Sequence, residues 1–248
     1  MAITWLLFFV LLHRFALQRG IIKPIFSDII GFTLSIFFFS RLFHILTDWL
    51  DEKFILVELV NGNILEFLRL FFIPQDYLFS LFWAIFGFSL VFLIKTHSIK
   101  KDRPQYIDAL VFAFLFASLL GYFWALLGGQ VYGIPIDSPL SITYTHQDSI
   151  VKDRAPLFPL AFLYMVFSLA IIMVLRQFSS HNKSIPNGFI GSIGIGMISL
   201  MVLLGEFLSG ARKDILYDIF SLSLNQIWAL IGLTFAILWI LRLIQKKI

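Results

Sequence analysis

The chain has no cysteine among its 248 residues. That removes disulfides, thiolate nucleophiles and Cys-ligated metals at once. Charge is nearly as scarce: Asp, Glu, Lys and Arg make up 14% of the residues, against 59% hydrophobic, and mean hydropathy is +0.91. A water-soluble globule is excluded by that balance. A formal net charge of +4, scattered among apolar runs, also excludes a nucleic-acid-binding surface. No serine stands in a G-x-S-x-G context, and no two of the five histidines are spaced i, i+4. His13, His44, His97, His181 and His146 therefore form no zinc-like constellation, and a lone His44 is as readily an interfacial side chain as a base. The motifs call for no cofactor and no metal.

What is present is apolar and aromatic. Thirty Phe within 17% aromatics suit side chains that face lipid or fill a core. Crossing about 30 Å of hydrocarbon takes roughly 20 apolar residues in a helix, and a barrel would need polar–apolar alternation instead. The runs predict seven spans: Ala2–Leu17, Ile29–Leu46, Tyr77–Ile94, Ala109–Leu127, Leu157–Leu175, Ile185–Leu204 and Asn225–Leu243. The expected fold is thus an all-α integral membrane protein, a seven-transmembrane-helix bundle forming a single transmembrane domain over residues 1–248.

Basic residues predict its orientation. Twelve of the 19 Lys and Arg fall on one side (Arg14, Arg19, Lys23, Lys95, Lys100, Lys101, Arg103, Arg176, Lys183, Arg242, Lys246, Lys247) and six on the other (Lys53, Arg69, Lys152, Arg154, Arg212, Lys213). Arg41 is left inside span 2. The N-terminus is expected outside and the C-terminus in the cytoplasm. Span 1 lacks a basic n-region and an A-x-A-like cleavage site, so it reads as retained rather than as a signal peptide.

The two long outer segments are where recognition or chemistry is expected. Residues 47–76 carry Asp48, Asp51, Glu52, Glu58 and Glu66, and Phe54–Phe72 reads as amphipathic interfacial helices. Residues 128–156 read as an ordered outer loop, with Gly128, Gly129, Gly133, Pro135 and Pro139 before the β-prone Leu140–Thr145.

A few polar residues stand out against this background. Arg41, thirteen residues into span 2, would cost roughly 2.5–3.5 kcal/mol if central, so it anchors a lipid phosphate, snorkels, or pairs with Asp48. Glu206, after Gly205, is either a buried acid or an interfacial carboxylate. Tyr122 and Gln130 flank the Gly128–Gly129 break and either meet a head group or satisfy backbone groups freed at the helix end. Gly188, Ser192 and Gly196 give span 6 a small-residue stripe suited to close packing, inside the bundle or between protomers.

The segment from Gly121 to Tyr144, G-Y-F-W-A-L-L-G-G-Q-V-Y-G-I-P-I-D-S-P-L-S-I-T-Y, resembles the signature of the prolipoprotein diacylglyceryl transferases, G-R-x-G-N-F-x-N-G-E-x-[WY]-G-x-P-x-D-x-P-W. It agrees at Gly121, Gly129, Tyr132, Gly133, Pro135, Asp137 and Pro139. Phe39–Leu46 is similar to the family's G-A-R-L-x-Y segment, with Arg41 on its Arg. Pro159–Tyr164 resembles P-x-x-L-Y-E with one residue inserted. Gly205-Glu-Phe-Leu, Asp214 and the run Ser221–Trp228 resemble the V-E-F-x-R…D…L-T-x-G-Q-x-L-S ending, which places Gln226 on its Gln.

The resemblance implies a seven-span protein of the bacterial inner membrane, and transfer of a diacylglyceryl group from phosphatidylglycerol to a lipobox cysteine. It implies phospholipid as ligand, with a lipoprotein signal segment or a membrane protein as further partner. On it, the lipid-binding candidates are Arg41, Tyr122, Gln130, Asp137, Glu206 and Gln226. The departures lie at the reacting groups: the family's His falls on Phe82, its signature Arg on Tyr122, its Asn on Ala125 and its Glu on Gln130. Two further Arg positions fall on Val202 and near Ser209. One positioned electrostatic group contributes roughly 10²–10³ in rate and one acid–base group roughly 10²–10⁴. The expectation is therefore a transferase-like protein, catalytically impaired or repurposed for lipid or lipoprotein binding. An active divergent transferase and a structural subunit of a membrane complex stand as alternatives.

Overall fold

The computed structural model describes residues 2–21, 29–52, 81–97, 103–145, 149, 151, 155–181, 185–210 and 222–245, apart from the side chains of 2, 43–52, 81–85 and 181. The interfacial helices expected over Phe54–Phe72 lie outside the described residues, as does the Phe82 side chain. Seven α-helices are described: α1 (Ala2–Gln18), α2 (Ile29–Glu52), α3 (Leu81–Lys95), α4 (Arg103–Gly128), α5 (Leu160–His181), α6 (Phe189–Gly205) and α7 (Leu224–Gln245). A short 3-10 turn, Glu206–Leu208, follows α6. Among the described residues there are no strands, only isolated β-bridges.

Each helix overlaps one of the seven apolar runs. Four of them, spanning Arg103–Gly128, Leu160–Ser180, Phe189–Leu208 and Leu224–Gln245, are long and apolar enough to cross a membrane, and shorter apolar helices accompany them. The chain is a multi-pass, all-helical membrane protein. Three helices outrun their apolar windows, α5 by running on past Leu175 to His181. α4 starts at Arg103, where Pro104 falls in the first turn and loses no intrahelical hydrogen bond. α2 continues past Leu46 to Glu52.

The described residues group into two compact units, Ile25–Lys100 and the rest of the chain. In the smaller unit α2 packs on α3. Gly87 makes this possible: a Cβ there would lie 2.8 Å from the Ser35 carbonyl, while the Ser35 hydroxyl donates to the Gly87 carbonyl at 2.9 Å. Phe32 meets Phe88 at 4.9 Å and Phe39 meets Phe86 at 5.3 Å between ring centroids. Arg41 sits on α2, only 2% exposed.

In the larger unit α4 packs against α1, α5 and α6, and α6 also contacts α5 and α7. The core joins Val111, Phe112 and Leu115 of α4 to Leu160, Ile171, Ile172 and Leu175 of α5 and Ile190 and Met201 of α6. α6 is thin where it is surrounded. A Cβ on Gly191 would stand 2.9 Å from the Ile107 and Asp108 backbone, and one on Gly194 would collide with Val111. Gly196 faces Ala236 of α7, and Ser192 is buried with its hydroxyl on the Gly188 carbonyl. The small-residue stripe thus packs inside the unit.

α6 is held at both ends by carboxylates that arrive from elsewhere. At its start, Gly188 takes a left-handed conformation (φ 86°) and the helix has no local side-chain cap. Asp108 of α4 supplies it instead, accepting the Gly188 N–H at 2.9 Å and the Gly191 N–H at 2.5 Å. The absence of a Gly191 side chain lets the two backbones come close enough. Arg19, just past α1, donates to the same carboxylate at 2.8 Å and lies over the Phe112 ring. A helix N-terminus and a guanidinium thereby compensate one buried negative charge.

Candidate functional site

The opposite end of α6 carries most of the sequence-nominated residues. Leaving the helix at Gly205, the chain turns through Glu206–Leu208 and brings Glu206 against the start of α7. Glu206 is 7% exposed, so the interfacial alternative gives way to a buried acid. Its carboxylate accepts the Ser223 hydroxyl at 3.0 Å through one oxygen and the Asn225 side-chain amide at 2.5 Å through the other. Ser223 and Gln226 form a reciprocal capping box: the Ser223 N–H donates to Gln226 Oε1 at 2.9 Å, and the Gln226 N–H donates to Ser223 Oγ at 3.2 Å. Glu206 therefore sits on the cap of α7, where the helix dipole favours a negative charge.

Two tyrosines complete the cluster. Tyr122 of α4 and Tyr164 of α5 pack with ring centroids 5.2 Å apart. The Tyr164 ring fills the space a side chain on Gly205 would need, which places its hydroxyl end beside the carbon preceding Glu206. Tyr122, Glu206 and Gln226 are thus brought to one end of the larger unit, together with Tyr164, Ser223 and Asn225. Sequence reasoning nominated the first three. It had Tyr164, Ser223 and Asn225 only as members of a family-like pattern, although the spacing S-x-x-Q before an apolar run is itself a capping signal.

The remaining candidates stand elsewhere. Gln130 follows Gly129, which is left-handed (φ 64°), and its N–H reaches back to the Ala125 carbonyl at 3.0 Å. That is the helix-ending arrangement of a Schellman motif, so main-chain groups close α4 here. A Cβ on Gly129 would meet Ser149 Oγ at 2.6 Å, which ties the turn to the loop that follows α4. Asp137 is exposed on that loop, Ala125 is buried in α4, and Arg41 belongs to the smaller unit.

The loop itself is clamped by main chain. Gly133 N–H donates to Phe158 O, Phe158 N–H to Ile134 O, Ile136 N–H to Pro156 O and Ile134 N–H to Leu208 O, all between 2.8 and 3.0 Å. Gly210 N–H returns to Tyr132 O at 3.1 Å, and Ile142 pairs with Leu157 in both directions. Tyr144, Val151 and Leu157 form a small core beneath it. The Tyr144 phenol and the Ser149 hydroxyl are buried there with no hydrogen-bond partner among the described residues, and burial raises the phenol's pKa above its ordinary value.

Among the described residues, no group of three or more His, Asp or Glu could hold a metal ion. In comparisons with known proteins, no family model and no curated protein matches the chain.

Proposed function

We propose that this chain is a transferase-like protein of the bacterial inner membrane, similar in plan to the prolipoprotein diacylglyceryl transferases, that binds phospholipid without carrying out lipid transfer. In this reading the N-terminus is outside and the C-terminus cytoplasmic. Phosphatidylglycerol is the ligand, Arg41 meets its phosphate, and a lipoprotein signal segment or a partner membrane protein is the second contact.

The observation that carries the loss of catalysis is the state of Glu206. Both oxygens of the Glu206 carboxylate are engaged by Ser223 and Asn225 at the start of α7. A general base has to face the proton it removes, and this carboxylate faces a helix cap. The neighbouring position that the resemblance assigns to an arginine is Tyr122, whose ring packs on Tyr164. Aromatic stacking supplies no cation for a departing phosphate.

The test is an assay of the purified chain with phosphatidylglycerol vesicles and a lipobox peptide, alongside native mass spectrometry of lipid retention. Retained phosphatidylglycerol that is lost in Arg41→Ala, with no thioether product, is the expected result. Thioether product that disappears in Glu206→Ala, with folding intact, overturns the non-catalytic reading. Equal retention of phosphatidylglycerol and phosphatidylcholine, unchanged in Arg41→Ala, overturns the ligand.

A further inference from the structure

The segment between Gly129 and Thr145 has an unusual combination of properties for a connection between helices. Asp137 is its only charged residue. Tyr132, Ile142 and Tyr144 pack beneath it, but three of its aliphatic side chains are exposed, Ile134 and Ile136 at 37% each and Leu140 at 71%. Ile134 and Ile136, two apart along an extended stretch, lie on one side of it. Yet the backbone groups of this stretch are hydrogen-bonded within the protein, Ile134 N–H to Leu208 O, Ile134 O from Phe158 N–H and Ile136 N–H to Pro156 O.

Those two properties answer separate costs of entering a membrane. An irregular segment is kept out of hydrocarbon by unsatisfied N–H and C=O groups, and here the Ile134 and Ile136 N–H groups and the Ile134 carbonyl are already paired. A loop is drawn in by apolar side chains that otherwise stand in water, and a contiguous exposed apolar patch marks an interaction surface. The patch is also continuous with surface that belongs to spanning helices. Ile134 is bonded to Leu208, next to exposed Phe207 and close in sequence to exposed Leu204 at the end of α6. Exposed Trp124 and Leu127 flank the loop where α4 enters it. Trp at such a position suits the headgroup level.

The geometry points to this loop as a membrane-inserted element, with Ile134, Ile136 and Leu140 buried in the acyl boundary of the leaflet next to the Glu206 end of the unit. The occupant is lipid hydrocarbon. The inference rests on the multi-pass fold alone and is independent of any phosphatidylglycerol headgroup site.

The absence of native cysteine gives a clean experiment. Single variants Ile136→Cys, Leu140→Cys and Asp137→Cys in the full chain are labelled with an environment-sensitive fluorophore and reconstituted in phosphatidylethanolamine–phosphatidylglycerol vesicles. All three positions are exposed, Ile136 at 37% and Leu140 at 71%, so a label has room at each. Labels at 136 and 140 are expected to be quenched by lipids brominated near the carbonyl end of the acyl chain, at a depth of about 5–10 Å. They should be quenched several-fold less by aqueous iodide than the label at 137. Iodide quenching at 140 as strong as that at 137 overturns the proposal in favour of a solvated loop. Protection at 140 from both iodide and brominated lipid overturns it in favour of a protein cover, a second copy included.

Discussion

Replacing Asp108 by Ala tests whether a carboxylate borrowed from α4 really anchors α6. The side chain is 1% exposed and accepts from Arg19, Gly188 and Gly191. Its loss removes a helix cap, worth roughly 0.5–2 kcal/mol, and strands one partner of a buried pair, worth about 3–5 kcal/mol. The two costs overlap, and Arg19, with 23% of its side chain exposed, regains some hydration, so the expected destabilisation is about 3 kcal/mol. In detergent micelles this corresponds to an apparent Tm lower by on the order of 5–10 °C. Asp108→Asn keeps an acceptor for one amide while losing the ion pair, and should fall between parent and Ala.

The sharper readout is a cycle with Arg19→Met, which keeps the apolar stem. Alone, this change leaves a buried carboxylate without its guanidinium and is destabilising. In the Asp108→Ala background it removes a cation facing the positive end of α6, and should recover about 1 kcal/mol. The reasoning is refuted if Asp108→Ala lies within about 0.5 kcal/mol of the parent, or if Arg19→Met has the same effect in both backgrounds.

Two further outcomes are expected. Ser223→Ala removes the α7 cap and a donor to Glu206, at a cost of about 1–2 kcal/mol, read as faster hydrogen exchange in the first turn of α7 while α4 keeps its protection. Tyr144→Phe deletes a buried hydroxyl that has no partner among the described residues, and should leave stability unchanged or raise it by up to about 1 kcal/mol. The same phenol sets a pH dependence: its folded pKa is raised, so its contribution is whole below about pH 10 and declines as pH climbs from there through the folded value. Hydrogen-exchange protection of residues 129–145 should fall over that alkaline range in the parent, with a smaller fall in Tyr144→Phe.

The helices were legible because hydropathy over a 20-residue window is a one-dimensional signal, and it located all seven described helices. It misplaced an end of α2, of α4 and of α5, since a helix continues through charged residues once its backbone leaves the apolar layer. Asp108 escaped notice for the same reason: a lone acid at the edge of an apolar run looks like the boundary itself. Its partners lie 80 and more residues away in the chain, so no local pattern marks it as the cap of α6. Glu206 and Tyr122 were nominated as polar residues beside glycines at the ends of apolar runs, and Gln226 from a motif-like pattern. That Glu206 would be engaged by Ser223 and Asn225 depends on where the turn at Gly205 delivers it, which only the folded chain decides. The Gln130 side chain was weighed as a helix terminator, whereas a left-handed Gly129 and the Gln130 amide perform that task.

Because the loop after α4 is fastened almost wholly through amides and carbonyls, its shape does not depend on what its outward residues are. Glycine is obligatory at 133, where any Cβ would strike the Leu208 carbonyl and the Phe158 side chain, but positions such as 136, 137 and 140 make no such demand. A surface built this way can exchange its chemistry one residue at a time while the scaffold beneath stays put. It is the part of the molecule best suited to acquire a new specificity.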